Sequence, residues 1–226
     1  MDPCNLQPTE FYMALLCKSF IFNPFQENTY VLYTESGKCV VIDPGCYGPA
    51  EQLELEQFFD THNLVPEAVW LTHTHVDHIL GLAWMVRKWN IPFFMHKNEI
   101  SQLKAVEVYA PNYGFYDFEP VEPQFYLDEQ TGINLAEYHF QVLFVPGHAP
   151  GHVAFYQPET GQIWAGDVLF KRSIGRTDLP GGNHTQLENS IRNALYHLPD
   201  LVKVYPGHGE ATTIGEEKRF NPFVRP

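Results

Sequence analysis

The stretch THTHVDH at residues 72–78 concentrates side chains that bind metal ions. Three histidines and an aspartate fall within six residues, and an apolar core has no use for so many titratable groups. Side chains alternate along an extended segment, so we expect His73, His75 and Asp77 to point to one side. His78 joins them if the chain turns there, and a helical pattern from residue 78 predicts that turn. This spacing therefore predicts a metal site.

Three other polar residues follow short apolar strands and lie beside glycines, in VPGHAPGH, WAGD and VYPGHG. Glycines let the backbone bend closely around a site, and the loops at strand ends commonly supply site residues. The full set of candidate ligands is His73, His75, Asp77, His78, His148, Asp167 and His208. Four ligands complete a structural zinc site, so seven candidates favour two divalent ions. Because no cysteine belongs to the set, zinc, iron and manganese all suit the donor atoms.

The composition argues against several classes of protein. The chain has 226 residues, 44% of them hydrophobic, which indicates a globular fold with one domain over residues 1–226. Its net charge of −13 argues against a nucleic-acid partner or an anionic membrane, since both need a basic surface. No apolar run is long enough to cross a membrane, and the start MDPCNLQPTE has no signal-peptide pattern. We therefore expect a cytoplasmic protein whose four cysteines are free thiols.

Short apolar runs separated by turn signals predict most of the secondary structure. The predicted strands are residues 11–22, 29–34, 38–43, 67–72, 92–95, 138–145, 152–157, 162–167 and 203–205. The predicted helices are residues 49–62, 78–90 and 185–198, the last with a capping box from Thr185 to Glu188. Strands accompanied by helices in both halves indicate an α/β (α+β) protein, an αββα sandwich of two mixed β-sheets flanked by helices.

Residues 105–136 have the weakest periodicity in the chain and are rich in aromatic side chains among prolines. Two interpretations remain open for them. The stretch is either an irregular loop that packs its own aromatics, or a wall or lid over the site.

The combination of motifs resembles the metallo-β-lactamase superfamily. THTHVDH has the H-x-H-x-D-H signature of that family, and PGHAPGH, the GD at 166–167 and PGHG fall where its later ligands occur. The resemblance covers about residues 14–224 and implies the αββα fold. It also implies that His73, His75 and His148 hold one metal ion. Asp77, His78 and His208 would hold the second ion, with Asp167 as a bridge and Asp77 beside the nucleophilic water.

Within that superfamily the chain is most similar to glyoxalase II and its short bacterial relatives, through GDVLFKRSIGRTDLPGGN and TTIGEEKRFNPFVR. Typical glyoxalase II enzymes continue into a helical C-terminal domain that helps to hold glutathione. This sequence ends 18 residues after His208. The resemblance therefore implies a complete hydrolytic core, and we expect only weak recognition of the glutathione moiety.

The residues and the resemblance together predict a metal-dependent hydrolase of the hydroxyacylglutathione hydrolase type, with zinc as the expected metal. Two divalent cations lower the pKa of a shared water and stabilise an oxyanion, and a thiolate departs without a strong general acid. The expected partner is a small-molecule acyl thioester or ester. One alternative is a mononuclear iron enzyme like persulfide dioxygenase, which would use chiefly His73, His148 and Asp167. Another is a metal-binding module without turnover. The oligomeric state is not indicated by the sequence.

Several polar residues near these motifs have two interpretations. Arg176 either pairs with Asp178 to order its loop, or braces a metal carboxylate or a substrate carboxylate. His152 is expected to make a packing contact beside the site rather than to bind metal or substrate. The remaining histidines are expected at the surface or at helix ends, and they are His62, His96, His139, His184 and His197.

Overall fold

The computed structural model describes residues 14–226, and its first six strands form one mixed sheet. They lie side by side in chain order, as β1 (Leu16–Phe22), β2 (Glu27–Tyr33), β3 (Lys38–Ile42), β4 (Val65–Trp70), β5 (Phe93–Met95) and β6 (Phe125–Tyr126). Strands β1 to β3 pair antiparallel, whereas β3 to β6 pair parallel. Both faces of β2 are covered, since Val31 belongs to one buried core and Tyr30 and Leu32 belong to another, which explains why nearly all of its side chains are buried. Residues 11–13 of the first predicted strand lie outside the described residues.

The second sheet is built from the later part of the chain. Its six strands follow the spatial order β14, β13, β10, β9, β8 and β7. Their bounds are β7 (Ile133–Leu135), β8 (Tyr138–Phe144), β9 (Val153–Gln157), β10 (Gln162–Gly166), β13 (Lys203–Pro206) and β14 (Thr212–Thr213). Only β10 and β13 pair parallel, so this sheet is also mixed. A separate short hairpin joins β11 (Leu169–Phe170) to β12 (Ser173–Ile174).

Six α-helices complete the described part of the chain. They are α1 (Gly48–His62), α2 (Val76–Ile79), α3 (Leu82–Trp89), α4 (Ile100–Tyr109), α5 (His184–Ser190) and α6 (Ile214–Phe220). Two 3-10 turns, Lys97–Glu99 and Ala110–Tyr113, flank α4, and a π-helical segment, Ile191–Leu195, continues α5. No helix within residues 14–226 has both the length and the apolar character needed to cross a membrane.

Three groups of buried side chains hold these layers together. Between the sheets, Trp70 of the first sheet packs against Phe140 and Phe155 of the second, with ring centroids 5.0 and 5.3 Å apart. The outer face of the first sheet packs against α1, α3 and α4 through residues such as Leu55. The outer face of the second sheet packs against α5 and α6 through residues such as Leu187. The order of layers is helix, sheet, sheet, helix, which confirms the predicted αββα sandwich.

The predicted helix over residues 78–90 is two helices in the structure. Helix α2 begins two residues earlier than predicted, and Gly81 separates it from α3. The Gly81 amide donates to the Pro44 carbonyl oxygen at 2.8 Å, and a Cβ at this position would collide with Cys46 Sγ. A glycine therefore lets the turn press against the loop after β3.

Two further predictions need correction. Helix α5 begins at His184, and its cap is Asn183, whose side chain accepts from the Gln186 amide at 3.0 Å, so the expected Thr185 capping box is wrong. The irregular stretch 105–136 contains the end of α4, a 3-10 turn and strands β6 and β7. Helix α6 was not predicted.

Candidate metal centre

The loops after β4, β8, β10 and β13 bring all seven predicted ligands together. Parallel pairing places β4 beside β3 and β10 beside β13, so the loops that carry polar side chains leave from matching strand ends. His73, His75 and His78 are all buried, and His148 is buried with them. Buried polar side chains at this density need partners, which protein groups or a bound ion must supply.

One group of potential ligands contains His73, His75 and His148. One ligand atom from each lies within 4.8 Å of the other two. The closest approach is 2.8 Å, between His75 Nδ1 and His148 Nε2. Three imidazoles on a shared centre form a donor set that suits zinc or iron.

A second group contains Asp77, His78 and His208, again with ligand atoms within 4.8 Å of one another. His208 Nε2 lies 3.1 Å from Asp77 Oδ2, and His78 Nε2 lies 3.7 Å from the same oxygen. The loop of His208 is held by Asn28 of β2, whose side-chain amide donates to the Pro206 and Gly209 carbonyl oxygens at 3.0 and 2.9 Å.

Asp167 lies between these two groups. Its Oδ2 is 3.5 Å from His148 Nε2 and 3.6 Å from His208 Nε2. Its Oδ1 is 3.5 Å from His78 Nε2. One carboxylate thus faces members of both groups, which is the placement that a bridging ligand requires.

Asp43, at the end of β3, holds Thr72 and His78 in place beneath the candidate ligands. It accepts from the Thr72 amide at 2.7 Å and from Thr72 Oγ1 at 2.5 Å. Because its hydroxyl proton is used in this way, Thr72 Oγ1 accepts from His73 Nδ1 at 3.0 Å. His78 Nδ1 donates to Asp43 Oδ2 at 3.2 Å. In its neutral form each imidazole carries one proton, so both rings then keep the Nε2 lone pair for the interior of the site.

Backbone carbonyl oxygens orient two more rings. His148 Nδ1 donates to the Arg176 carbonyl oxygen at 2.8 Å, and His208 Nδ1 donates to the Phe25 carbonyl oxygen at 3.1 Å. A carbonyl oxygen can only accept, so each ring again keeps its Nε2 lone pair for the site.

Several atoms that face the centre have no hydrogen-bond partner in the protein. Within residues 14–226 they include His73 Nε2, His78 Nε2 and Asp167 Oδ1, all buried. An unsatisfied buried polar atom costs about 1–3 kcal/mol. Divalent ions would satisfy these atoms, so the arrangement supports divalent metal binding.

Protonation states agree with metal binding. Burial, aided by His148, lowers the pKa of His75 to about 3, and burial also holds the pKa of His73 well below its usual range. Burial opposes ionisation of Asp167, but His78, His148 and His208 together outweigh it and keep the pKa of that carboxyl below its usual value. These residues therefore present neutral imidazoles and an ionised carboxylate, which are the forms that ligate metals.

His78 differs from the histidines of the first group. Burial lowers its pKa, but Asp77 and Asp167 more than offset that effect and raise the pKa well above the usual value. The carboxylates around His78 thus favour a positive charge at this position. A proton or a divalent cation can supply that charge.

His152 and Arg176 contribute to the site in ways that the sequence left open. His152 is buried and its Nε2 accepts from the Asp167 backbone amide at 3.0 Å, while its ring stacks on His73 at 4.6 Å. The Arg176 guanidinium is exposed and forms two 2.7 Å hydrogen bonds with Asp178. The ion pair, one of the two interpretations that the sequence left open, is therefore present, and the backbone of Arg176, not its side chain, contacts a candidate ligand.

Three buried carboxylates around the site were not predicted, namely Glu27, Asp43 and Glu99. Asp43 ends an apolar strand before Pro44-Gly45, so its position carried the same signal as Asp167. Glu27 and Glu99 had no such signal, because neither lies beside a recognisable motif. His96, expected at the surface or at a cap, caps the 3-10 turn at Lys97–Glu99 but is buried.

A cleft of about 640 Å³ opens over the two groups. Its floor includes His75, Asp77, His148, Asp167 and His208, and one wall comes from Gln102, Tyr109 and Tyr113 of α4 and the following turn. Phe170, Ile174 and Leu179 line other parts of the cleft. Apolar walls around a polar floor suit a small organic substrate that places one polar group at the floor. The aromatic stretch 105–136 thus supplies a wall of the cleft, as one of the two interpretations expected.

The chain is similar to proteins of known family over nearly its whole length. The metallo-beta-lactamase superfamily model matches residues 22–208, which include all seven candidate ligands. A probable metallo-hydrolase of Bacillus subtilis, YqgX, is 37% identical over 213 residues, covering 89% of this chain and 93% of that protein. Hydroxyacylglutathione hydrolase GloC of Haemophilus influenzae is 33% identical over 202 residues, covering 88% and 93%.

Solved structures with the same architecture include three informative examples. The B3 metallo-beta-lactamase BLEG-1 is 35% identical with a TM-score of 0.82, covering 92% of this chain and 99% of that one. TTHA1623, solved in a di-iron-bound form, is 39% identical with a TM-score of 0.80, covering 92% and 100%. ETHE1 from Myxococcus xanthus is 26% identical with a TM-score of 0.75, covering 92% and 84%.

Proposed function

Because this chain belongs to the metallo-beta-lactamase superfamily of metal-dependent hydrolases, we propose that it hydrolyses acyl thioesters with two divalent ions. The placement of Asp167 carries the proposal. Its two carboxylate oxygens lie 3.5 to 3.6 Å from histidines of both ligand groups. A single structural ion would not need a carboxylate between two separate sets of three ligands.

The proposed ligands divide as the family resemblance implies. One ion would be held by His73, His75 and His148 and the other by Asp77, His78 and His208, with Asp167 available to both. Two bound ions supply a water of lowered pKa and electrostatic stabilisation of the oxyanion that forms at the acyl carbon. Zinc is our preferred metal, although the di-iron form of a 39% identical protein makes iron a direct competitor.

Asp77 is the residue that we propose to orient the attacking water. It lines the cleft, and His78 and His208 offset the effect of burial and keep its pKa below the usual value. An ionised carboxylate in this position accepts a hydrogen bond from water and directs its oxygen lone pair toward the acyl carbon.

A thioester fits the other groups that line the cleft. Hydrolysis of an oxyester or amide needs a proton for the leaving group, and the histidines of the cleft are all used as proposed ligands. A thiolate, with a pKa of about 8.5, departs without that proton. The name of the Haemophilus influenzae relative, a hydroxyacylglutathione hydrolase, supports the same substrate class. Oxyesters and lactones are the next candidates.

A mononuclear iron oxygenase that acts on persulfides is the second candidate. His73 and His148 lie in one group, and Asp167 Oδ2 is 3.5 Å from His148 Nε2, so these three residues can serve one iron. The di-iron form of TTHA1623 supports iron as the metal of this alternative, but its two ions do not favour a mononuclear site over a dinuclear one.

The proposed setting is a reducing, cytoplasmic compartment and a single catalytic domain. Cys17, Cys39 and Cys46 are free cysteines. Burial raises the pKa of the Cys39 and Cys46 thiols, so both are unreactive at neutral pH.

The test compares substrates on protein loaded separately with zinc and with iron. S-lactoylglutathione, a small lactoyl thioester, a lactone and a β-lactam are assayed for hydrolysis, and glutathione persulfide is assayed for dioxygen uptake. We expect the thioesters to be the best substrates. His208→Ala separates the candidates, because it should abolish dinuclear hydrolysis but spare an oxygenase that uses His73, His148 and Asp167. Dioxygen uptake that survives His208→Ala, without thioester hydrolysis, would replace our proposal with the oxygenase.

A further inference from the structure

Glu99 is a fully buried carboxylate that connects two separate loops of the site. It lies just after β5, where the 3-10 turn meets α4. Its Oε2 accepts from the Thr74 amide and from Thr74 Oγ1, both at 2.9 Å. Its Oε1 accepts from the Gly151 amide at 2.6 Å. Three donors thus converge on the two carboxylate oxygens of Glu99. None of these donors belongs to a candidate metal ligand.

The two loops carry the three histidines of the first ligand group. Thr74 lies between His73 and His75, and Gly151 lies three residues after His148. The hydrogen bond to the Gly151 amide holds the loop that supplies His148. That loop contributes no residue to the second ligand group. The Glu99 carboxylate therefore fixes the distance between the loop that carries His73 and His75 and the loop that carries His148.

The fit around Glu99 leaves little freedom. A Cβ at Gly151 would lie 2.8 Å from Glu99 Cγ and 2.8 Å from the Glu99 backbone nitrogen. Only glycine allows this approach, which explains the second glycine of PGHAPGH. An amide in place of the carboxylate would turn its NH₂ toward either the Thr74 donors or the Gly151 N–H, and a donor facing a donor in a buried site is strongly unfavourable.

We propose that Glu99 is a positioning residue that sets the divalent-ion affinity of the His73, His75 and His148 group. This inference rests on the metal assignment of the proposed function, but not on the identity of the substrate. Partners outside the ligand set typically change metal affinity by about 10–100-fold.

The test measures affinity for Zn²⁺ by chelator competition in the full-length protein. His208→Ala weakens the second group and isolates the first, whereas His148→Ala weakens the first and isolates the second. Glu99→Gln is introduced into each background. We expect about 10–100-fold weaker Zn²⁺ binding in the His208→Ala background and less than a threefold change in the His148→Ala background.

Milder variants guard against loss of folding. Thr74→Val removes one hydrogen bond while keeping the side-chain shape, and should weaken the first group by about fivefold. Thr74→Ser keeps the hydroxyl and should restore wild-type affinity. Glu107→Gln, on the exposed face of α4, is the matched control and should leave Zn²⁺ affinity unchanged. Thermal unfolding of the metal-free variants and of the metal-free wild type shows whether a loss of Zn²⁺ affinity comes with a loss of fold stability.

Equal losses in both backgrounds, or wild-type affinity in Glu99→Gln, would overturn the inference. So would a failure of Thr74→Ser to restore the affinity that Thr74→Val loses. These outcomes do not depend on thioester hydrolysis, so a failure of the substrate assignment remains distinguishable from a failure of the positioning role.

Discussion

His148 and Arg176 are joined through the backbone, because His148 Nδ1 donates to the Arg176 carbonyl oxygen at 2.8 Å although 28 residues separate them. The same arginine directs its guanidinium away toward Asp178. The GRTD stretch thus orients a candidate metal ligand with its main chain and leaves its charged side chain at the rim of the cleft. Metal binding and substrate binding can therefore be separated at this residue.

Arg176→Ala should leave metal content unchanged, because the carbonyl oxygen that orients His148 is retained. We expect the KM for thioesters that carry a carboxylate to rise by about fivefold, since an exposed ion pair contributes up to about 1 kcal/mol. Metal analysis and steady-state kinetics check both parts. Lys171→Ala is the control, because Lys171 pairs with Glu210 and does not line the cleft. A loss of metal in Arg176→Ala would contradict the backbone role.

Asp167→Ala should impair both ligand groups, because this carboxylate faces histidines of each. We expect both equivalents of Zn²⁺ to bind more weakly and kcat to fall roughly 10³-fold or more, since the electrostatic contribution of metal ions to catalysis amounts to several kcal/mol. Elemental analysis and kinetics provide the measurement. The matched control is Asp200→Ala, which removes an exposed aspartate that pairs with Lys218. Wild-type metal content in Asp167→Ala would exclude the bridging assignment.

Asp43→Asn tests the support beneath His73 and His78. Asp43 has a positive φ of 50°, which asparagine also tolerates, so the substitution changes hydrogen bonding and not the backbone. The amide keeps one acceptor oxygen, whereas Asp43 receives three donors. We expect about 10–100-fold weaker Zn²⁺ binding, measured by chelator competition. Asp60→Asn, at an exposed position near the end of α1, is the control and should leave Zn²⁺ affinity unchanged. If both variants bound Zn²⁺ equally weakly, the loss in Asp43→Asn would not be specific to the site.

Removal of the metal should abolish hydrolysis while the fold persists, because the cores between and outside the sheets do not include the ligands. Chelator-treated protein should retain its far-ultraviolet circular dichroism spectrum and recover activity when Zn²⁺ is returned. Hydrolysis that persists in demonstrably metal-free protein would contradict the mechanism.

Glutathione should contribute little to substrate binding. Arg176 is the only lysine or arginine among the residues found to line the cleft within residues 14–226, and a substrate carboxylate must compete with Asp178 for it. Few groups therefore remain to bind the glutathione carboxylates, and remote binding energy is what usually improves the positioning of the reacting bond. We expect S-lactoylglutathione and a small lactoyl thioester to differ by less than about tenfold in kcat/KM. A much larger preference for the glutathione ester would reveal a binding site that the cleft does not suggest.

The sandwich was predicted correctly, and the candidate ligands could be proposed, because both depend on local patterns. Alternating and continuous apolar runs mark strands wherever one or both faces are buried, and the order of the strands and helices restricts the possible layers. His73, His75, Asp77 and His78 occur within one short motif. The other three ligands each follow an apolar strand beside glycine, so their signal is also local.

The helices α4 and α6 were missed for a related reason. Only two residues of α4, Leu103 and Val106, are buried, and in α6 the buried residues are Ile214 and Glu217. Their apolar periodicity is therefore weak, and tertiary packing stabilises them more than sequence propensity does. The wall of the cleft that α4 builds could not be assigned without the structure.

Sequence patterns alone were enough to predict the class of fold and to propose donor atoms for the candidate metal site. Tertiary structure alone decided how those donors are held. Asp43 meets Thr72 across 29 residues, and Glu99 meets Gly151 across 52. The direction of the Arg176 guanidinium and the placement of Asp167 between two ligand groups were settled in the same way. Such contacts depend on the packing of distant strand ends, and a local pattern carries no information about which buried carboxylate will meet which loop.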